Sequence, residues 1–267
     1  MRLSIPGLNA LHTLELTVLR SVRVVPHLQR VTLTGSALRR ITRRGGDQRC
    51  RVVVNSPVED QARWMPATIG DPWSAAAQFS FFEGMYRPVT RMVPVRAFRP
   101  GVLEADIDIA LDTDALLSTW ACMISPGSRI RIIDCGCSYR APDHAHWQVL
   151  VAEDSGVPAA LAVAESTPSS TPTTAFLEVP THDDTAHIPL GDNITVVWLP
   201  RDNSHLAPGL RVLQMLRDEG LSLMPDRVFV AGGRPLVAKV RRTLMADGVP
   251  RSVITGSVYA APYAESH

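Results

Sequence analysis

Between Leu103 and Leu111 the chain alternates in a two-residue rhythm. Leu103, Ala105, Ile107, Ile109 and Leu111 fall on one side, and Glu104, Asp106, Asp108 and Ala110 on the other. A period of two belongs to a strand, so this stretch predicts a half-buried strand with its apolar row on a core. From Leu16 onward, two partly alternating β-branched runs stand on either side of Pro26 and close at Gly35, as consecutive antiparallel strands do. RCRVVV (Arg49 to Val54) and RIRII (Arg129 to Ile133) add short strands, the first preceded by a basic loop containing Gly45 and Gly46. LLSTWACMI, from Leu116 to Ile124, reads as a short helix that stops at Ser125-Pro126-Gly127. Short strands, turn signals and one helix predict an antiparallel β-barrel.

Near Trp147 the pattern changes. WQVLVA is a continuous apolar run, the mark of a strand buried on both faces, and it leads into the helix-like VPAALAVAES with Pro158 in the first turn. Further strands are expected from Ala175, Ile194 and Arg227, and helices over about Ala207 to Glu219 and Pro235 to Asp247. Strands alternating with helices predict a doubly wound α/β domain. The expected plan is therefore an antiparallel β-barrel over residues 1–145 followed by an α/β domain over 146–267. Ser166 to Thr174, rich in Pro, Ser and Thr, is placed inside the second domain because strand material resumes at once.

Composition narrows the function. The 267 residues are 45% hydrophobic, ample for packed cores, and 27 Lys and Arg against 26 Asp and Glu leave a formal charge of +1. Such a balance provides no broad field for nucleic acid or an anionic membrane, so anion recognition must be local. The opening segment lacks a signal-like apolar core and cleavage pattern, and no later run approaches the roughly 18 apolar residues of a membrane span. These features predict a soluble, cytoplasmic protein. Its four cysteines are too sparse for a disulfide framework. Cys135, Cys137, His144 and His146 could in principle bind zinc, but they lack the usual C-x2-C spacing and fall at the connection between the two halves, so no metal site is expected. G-x-S-x-G, G-x4-G-K-[ST] and H-E-x-x-H patterns are absent, leaving hydrolase and kinase readings unsupported.

Several segments share their order with one family. LTVLRSVRVVPHLQRVTLTGSAL, DQRCRVVVNSP, YRPVTRMVPVRAF and STWACMISPGSRIRI resemble, in turn, the opening strands, the next strand, the Arg-x-Tyr-Thr flavin signature and the helix-to-strand segment of siderophore-interacting proteins. VLVAEDSGVPAALAVAES resembles the family's Gly-Asp-Glu-Thr-Ala-Leu-Pro-Ala turn, while LEVPTHDD, VVWLPRD and VFVAGG resemble later strands. The chain is similar over nearly its whole length to these ferredoxin-reductase-like enzymes. That resemblance implies FAD on the barrel, NAD(P)H at the α/β domain, hydride transfer to the flavin, and electrons passed to a ferric siderophore or related small-molecule acceptor.

Residue by residue, the resemblance assigns Arg87 to the flavin pyrophosphate and Thr90 to the catalytic hydroxyl near flavin N5. Val89 stands in the tyrosine position, giving up ring stacking worth about 1 kcal/mol. Arg91 lies one residue before the family's second arginine, where this chain has Met92. Ser118, Thr119 and Trp120 belong to the pyrophosphate helix, although Ala115 and Leu116 replace its Gly and Pro. On the nicotinamide side Asp154 and Pro158 match, Arg201 could meet phosphate, and Tyr259 could supply the terminal aromatic. Glu153 replaces a turn glycine, and Gly233 replaces a glutamate. Without the resemblance, Arg87 and Arg91 read as exposed strand charges and Trp120 as a core aromatic. The same departures fit a second possibility, a member that kept the fold and cleft but acts on or binds a small organic molecule without hydride transfer.

Overall fold

The computed structural model describes residues 11–42, 45–54, 68–69, 90–111, 113–139, 146–185, 190–202, 205–218, 220–221 and 223–259. Arg87, Val89 and His144 lie outside the described residues.

Six strands close the barrel: β1 (Leu11–Val25), β2 (Leu28–Thr34), β3 (Arg49–Val53), β5 (Thr90–Arg99), β6 (Glu104–Ala110) and β7 (Arg129–Asp134). They run antiparallel in the order β2-β6-β5-β3-β7-β1, and β1 pairs back onto β2; the two-residue β4 (Thr68–Ile69) adds to the start of β1. The long β1 makes closure possible. Residues Thr13 to Thr17 pair with β7, the later ones pair with β2, and register shifts such as that between Val18 and Arg20 accompany the turn from one partner to the other. Leu14, Leu16 and Val18 thereby face a core shared with Val31, Leu33, Ile107, Ile109, Ile130 and Ile132. Helix α1 (Ala115–Met123) packs Leu117 and Ala121 against that core.

β6 is where the sequence expectation needs correcting. Its polar side was expected to face water, yet Asp106 and Asp108 are buried. Arg99 forks onto Asp106 at 2.7 and 2.8 Å, and Arg30 clamps Asp108 with two contacts of 2.7 Å. Cations from neighbouring strands make burial of both carboxylates tolerable. β5 carries Pro94 mid-strand, which argues against a central strand in the sequence alone. The ladder accommodates it beside an irregularity between Val95 and Ala97, and Arg96, at that irregularity, is buried and ion-paired with Glu165 of the second half.

The second half holds a parallel sheet in the order β10-β9-β8-β11-β12, built from β8 (Gln148–Ala152), β9 (Thr173–Val179), β10 (Ile194–Pro200), β11 (Arg227–Gly232) and β12 (Ile254–Val258). Helix α2 (Val157–Glu165) covers one face, while α3 (Leu210–Asp218) and α4 (Arg234–Ala246) cover the other. The order reverses between β8 and β11, which opens a crevice at their carboxyl ends. β12, not expected from sequence, contains Gly256; a Cβ there would lie 2.5 Å from Val237 of α4, so close helix packing explains an otherwise weak strand signal.

α2 is buried from Val157 to Ala164 because it lies between the sheet and the barrel. Contact is intimate at Gly46, where a Cβ would come within 2.6 Å of the Val163 Cα. Two further contacts join the halves. Fully buried Asp47, which accepts from the amides of Ser138 and Tyr139 at 2.9 and 3.0 Å and from the Ser138 hydroxyl at 2.9 Å within its own half, also accepts from the Ser257 hydroxyl of β12 at 3.4 Å. Asp184, in a turn after β9, accepts from the His27 amide at 2.8 Å and meets its ring Nδ1 at 2.7 Å.

Burial pushes Asp184 upward, but Thr181 and His27 more than reverse this and hold it below the usual carboxylate range. A lowered folded-state value contributes stability above the unfolded value of about 3.9, and that contribution is lost as pH falls through the folded value. Asp184→Asn should therefore lose less stability than the parent between pH 5 and 2.5. Urea unfolding at both pH values measures the difference; equal losses would contradict it.

Candidate functional site

The barrel contributes one wall of the candidate site at the start of β5 and around α1. Thr90 is half-buried, with Arg51 Nη1 at 3.4 Å from its hydroxyl. Arg91 follows, and its guanidinium is ion-paired with Asp114 while also donating to the Thr90 carbonyl at 3.2 Å. Asp114 is the N-cap of α1, accepting from the Leu117 amide at 3.0 Å. Arg91 thus pairs with the carboxylate that caps the helix, a partner 23 residues away that sequence reasoning missed.

Ser118 and Thr119 line a cleft of about 480 Å³ together with Arg23, Pro26, His27, Leu111, Cys122 and Met123. Sequence reasoning found the two hydroxyls and missed Arg23 and His27, because the β1–β2 turn meets α1 only through barrel closure. Trp120 packs against the barrel core, which favours the core-aromatic reading. A flavin dinucleotide fits this wall in kind: the cleft is of ligand-pocket size and is lined by the Ser118 and Thr119 hydroxyls and the Arg23 guanidinium.

Across the crevice, the carboxyl edge of the parallel sheet is acidic. Arg201 forks onto Asp154 at 2.8 and 2.7 Å and reaches Glu178 at 2.9 Å. Glu178, fully buried, also accepts from the amides of Gly209 and Val212 at the start of α3, at 2.7 and 2.9 Å. Burial pushes the Asp154 carboxyl up, a shift that Arg201 opposes. Arg201, offered by the resemblance as a possible phosphate contact, is paired with two internal carboxylates. Pro158 is buried in the first turn of α2. Tyr259 is 2% exposed within the cluster containing Tyr139 and Phe229, so its ring is a core element rather than an open stacking face.

Glu153 sits at the point where the strand order reverses. Its carboxylate accepts from the Gly233 amide and the Ser155 hydroxyl, each at 2.6 Å. The Gly232-Gly233 turn at the head of α4 is thus filled by a side chain, and a dinucleotide phosphate does not fit at that turn as it stands.

Among the described residues, no group of three or more His, Cys, Asp or Glu is placed to hold a metal ion, and no helix is long and apolar enough to cross a membrane. Cys50, Cys122, Cys135 and Cys137 form no disulfide.

Known proteins share this architecture. Residues 17–139 match the sequence model of the siderophore-interacting FAD-binding domain, and residues 145–263 match that of the siderophore-interacting protein. A ferric vibriobactin reductase of Vibrio cholerae is 26% identical over 257 residues, covering 93% of this chain and 88% of that protein. An NADPH-dependent ferric-chelate reductase of Escherichia coli is 24% identical over 261 residues, covering 94% of each. The crystal structure of a siderophore utilization protein from T. fusca superposes with a TM-score of 0.73 at 22% identity, covering 98% of this chain and 97% of that one. Barrel, parallel sheet and both matched halves lead to one assignment: the chain belongs to the siderophore-interacting protein family.

Proposed function

We propose that this protein is an FAD-dependent oxidoreductase that takes electrons from NAD(P)H and delivers them to a ferric siderophore or related ferric chelate. The observation that carries the reading is the match of residues 17–139, which form the closed barrel, to the family's FAD-binding domain. When bound, FAD supplies a two-electron acceptor that can release electrons singly to iron. The chain's own residues bind and orient it. Ser118 and Thr119 offer hydroxyls to the polar portion of the cofactor, and Arg23 adds positive charge. Arg91 acts as a positioning residue by fixing Asp114 and hence the start of α1. Thr90 would offer its hydroxyl to the ring, and Arg87, as the family's signature arginine, would serve the pyrophosphate.

Two observations test the reading together. The purified protein should show flavin absorbance and release FAD on denaturation, and it should reduce a ferric catecholate when supplied with NADPH. A colourless protein that fails to take up added FAD would remove the assignment. Thr90→Val should keep FAD bound but lower turnover about tenfold, the loss of one hydrogen bond of roughly 1.4 kcal/mol. Stopped-flow reduction at saturating NADPH measures this, and an unchanged rate would exclude a role for the hydroxyl.

A further inference from the structure

Glu153 is 3% exposed, at a position where a polar chain end would ordinarily meet ligand or solvent. Oε1 takes the Gly233 amide and the Ser155 hydroxyl, and Oε2 takes the Ser155 amide at 3.3 Å. Gly233 is the N-cap of the 13-residue α4, so the carboxylate lies on the positive end of that helix. Gly232 has φ 148°, and a Cβ on it would stand 2.5 Å from Glu153 Oε1. The bare backbone of two successive glycines therefore accommodates an anion, and the anion is the protein's own.

The neighbouring turn reinforces this. A Cβ on Gly156 would lie 2.2 Å from the Ala231 carbonyl carbon and oxygen, so the β8–α2 turn rests directly on the end of β11. No gap the size of a phosphate separates the two turns. Asp154 and Glu178 stand nearby, with Arg201 divided between them, so that guanidinium is not free to draw a phosphate past Glu153. Burial pushes the Glu153 carboxyl above the usual carboxylate range, with the Ser155 hydroxyl opposing and the charge of Asp154 adding to the shift.

We propose that Glu153 is an internal stand-in for a dinucleotide phosphate, occupying the Gly232-Gly233 turn and excluding the phosphates of NAD(P)H from it. Glu153 is thus a specificity-determining residue that keeps dinucleotide affinity low at the place where α/β sheets ordinarily hold such ligands. The inference rests on the reductase reading only for the choice of dinucleotide as the excluded ligand.

The test is calorimetric titration of the FAD-loaded protein, and separately of the protein as isolated, with NADP+ and with inorganic pyrophosphate. Glu153→Gly opens the turn, and Glu153→Gln keeps its shape while removing the charge. Opening should tighten NADP+ and pyrophosphate at least tenfold, and the glutamine variant should tighten both severalfold. Circular dichroism and melting confirm that each variant is folded. Equal affinities in the parent and in either folded variant would overturn the proposal, as would tight pyrophosphate binding by the parent. Failure of the reductase reading looks different: no bound flavin and no chelate reduction, with pyrophosphate still tightened by the opened turn.

Discussion

Replacing Arg201 with methionine should lower the unfolding free energy by about 3–5 kcal/mol, the penalty for leaving buried carboxylates without their cation. The loss should fall mainly on Asp154. Glu178 keeps two amide donors from the start of α3, whereas Asp154 loses both arms of the guanidinium fork. A second substitution separates charge from packing: Asp154→Asn placed on Arg201→Met should recover part of the loss, because a neutral amide is less costly to bury than an unpaired carboxylate. Guanidinium unfolding of the parent, the single variant and the double variant measures the effect. A single-variant loss below about 1 kcal/mol would show that Arg201 behaves like an exposed ion pair.

The next largest effect is expected at Asp47. Its carboxylate satisfies two backbone amides and one hydroxyl on the strand-to-sheet connection, and Ser257 of β12 approaches it at 3.4 Å. Asp47→Ala leaves the buried Tyr139 amide without its acceptor, whereas exposed Ser138 can turn to water, so a loss of about 1–3 kcal/mol is expected. Because Asp47 belongs to the barrel and Ser257 to the parallel sheet, the variant should also unfold less cooperatively. Limited proteolysis and two-probe denaturation would reveal this; a single unchanged transition would argue that Asp47 is dispensable.

Local patterning made the architecture legible. The alternation from Leu103 to Leu111, the paired runs around Pro26 and the apolar run from Trp147 each point to an element that the fold contains, because each element buries a face defined by its own residues. Less legible were features decided by a distant partner. Asp106 and Asp108 look solvent-facing until Arg99 and Arg30 arrive from adjacent strands. Arg201 looks available until Asp154 and Glu178 converge on it. β5 and β12 were obscured by Pro94 and Gly256, whose penalties are offset by a ladder irregularity and by the close approach of α4. Glu153 and Gly233 looked like two unrelated departures from the family pattern, although the carboxylate of one accepts the amide of the other. Arg23 and His27 carry no motif at all, since only closure of β1 onto β2 brings them beside α1.

The close approach at Gly46, the junction at Asp47 and the His27–Asp184 contact fasten barrel to sheet at several separated places. A hinge rotation about any one of these points would have to pull the others apart. The groove is consequently preset in width, and a guest would find its berth already formed instead of spending affinity on drawing two lobes together. Selectivity for a guest then resides in the side chains along the walls, and single replacements there should alter binding without altering the assembly of the two halves.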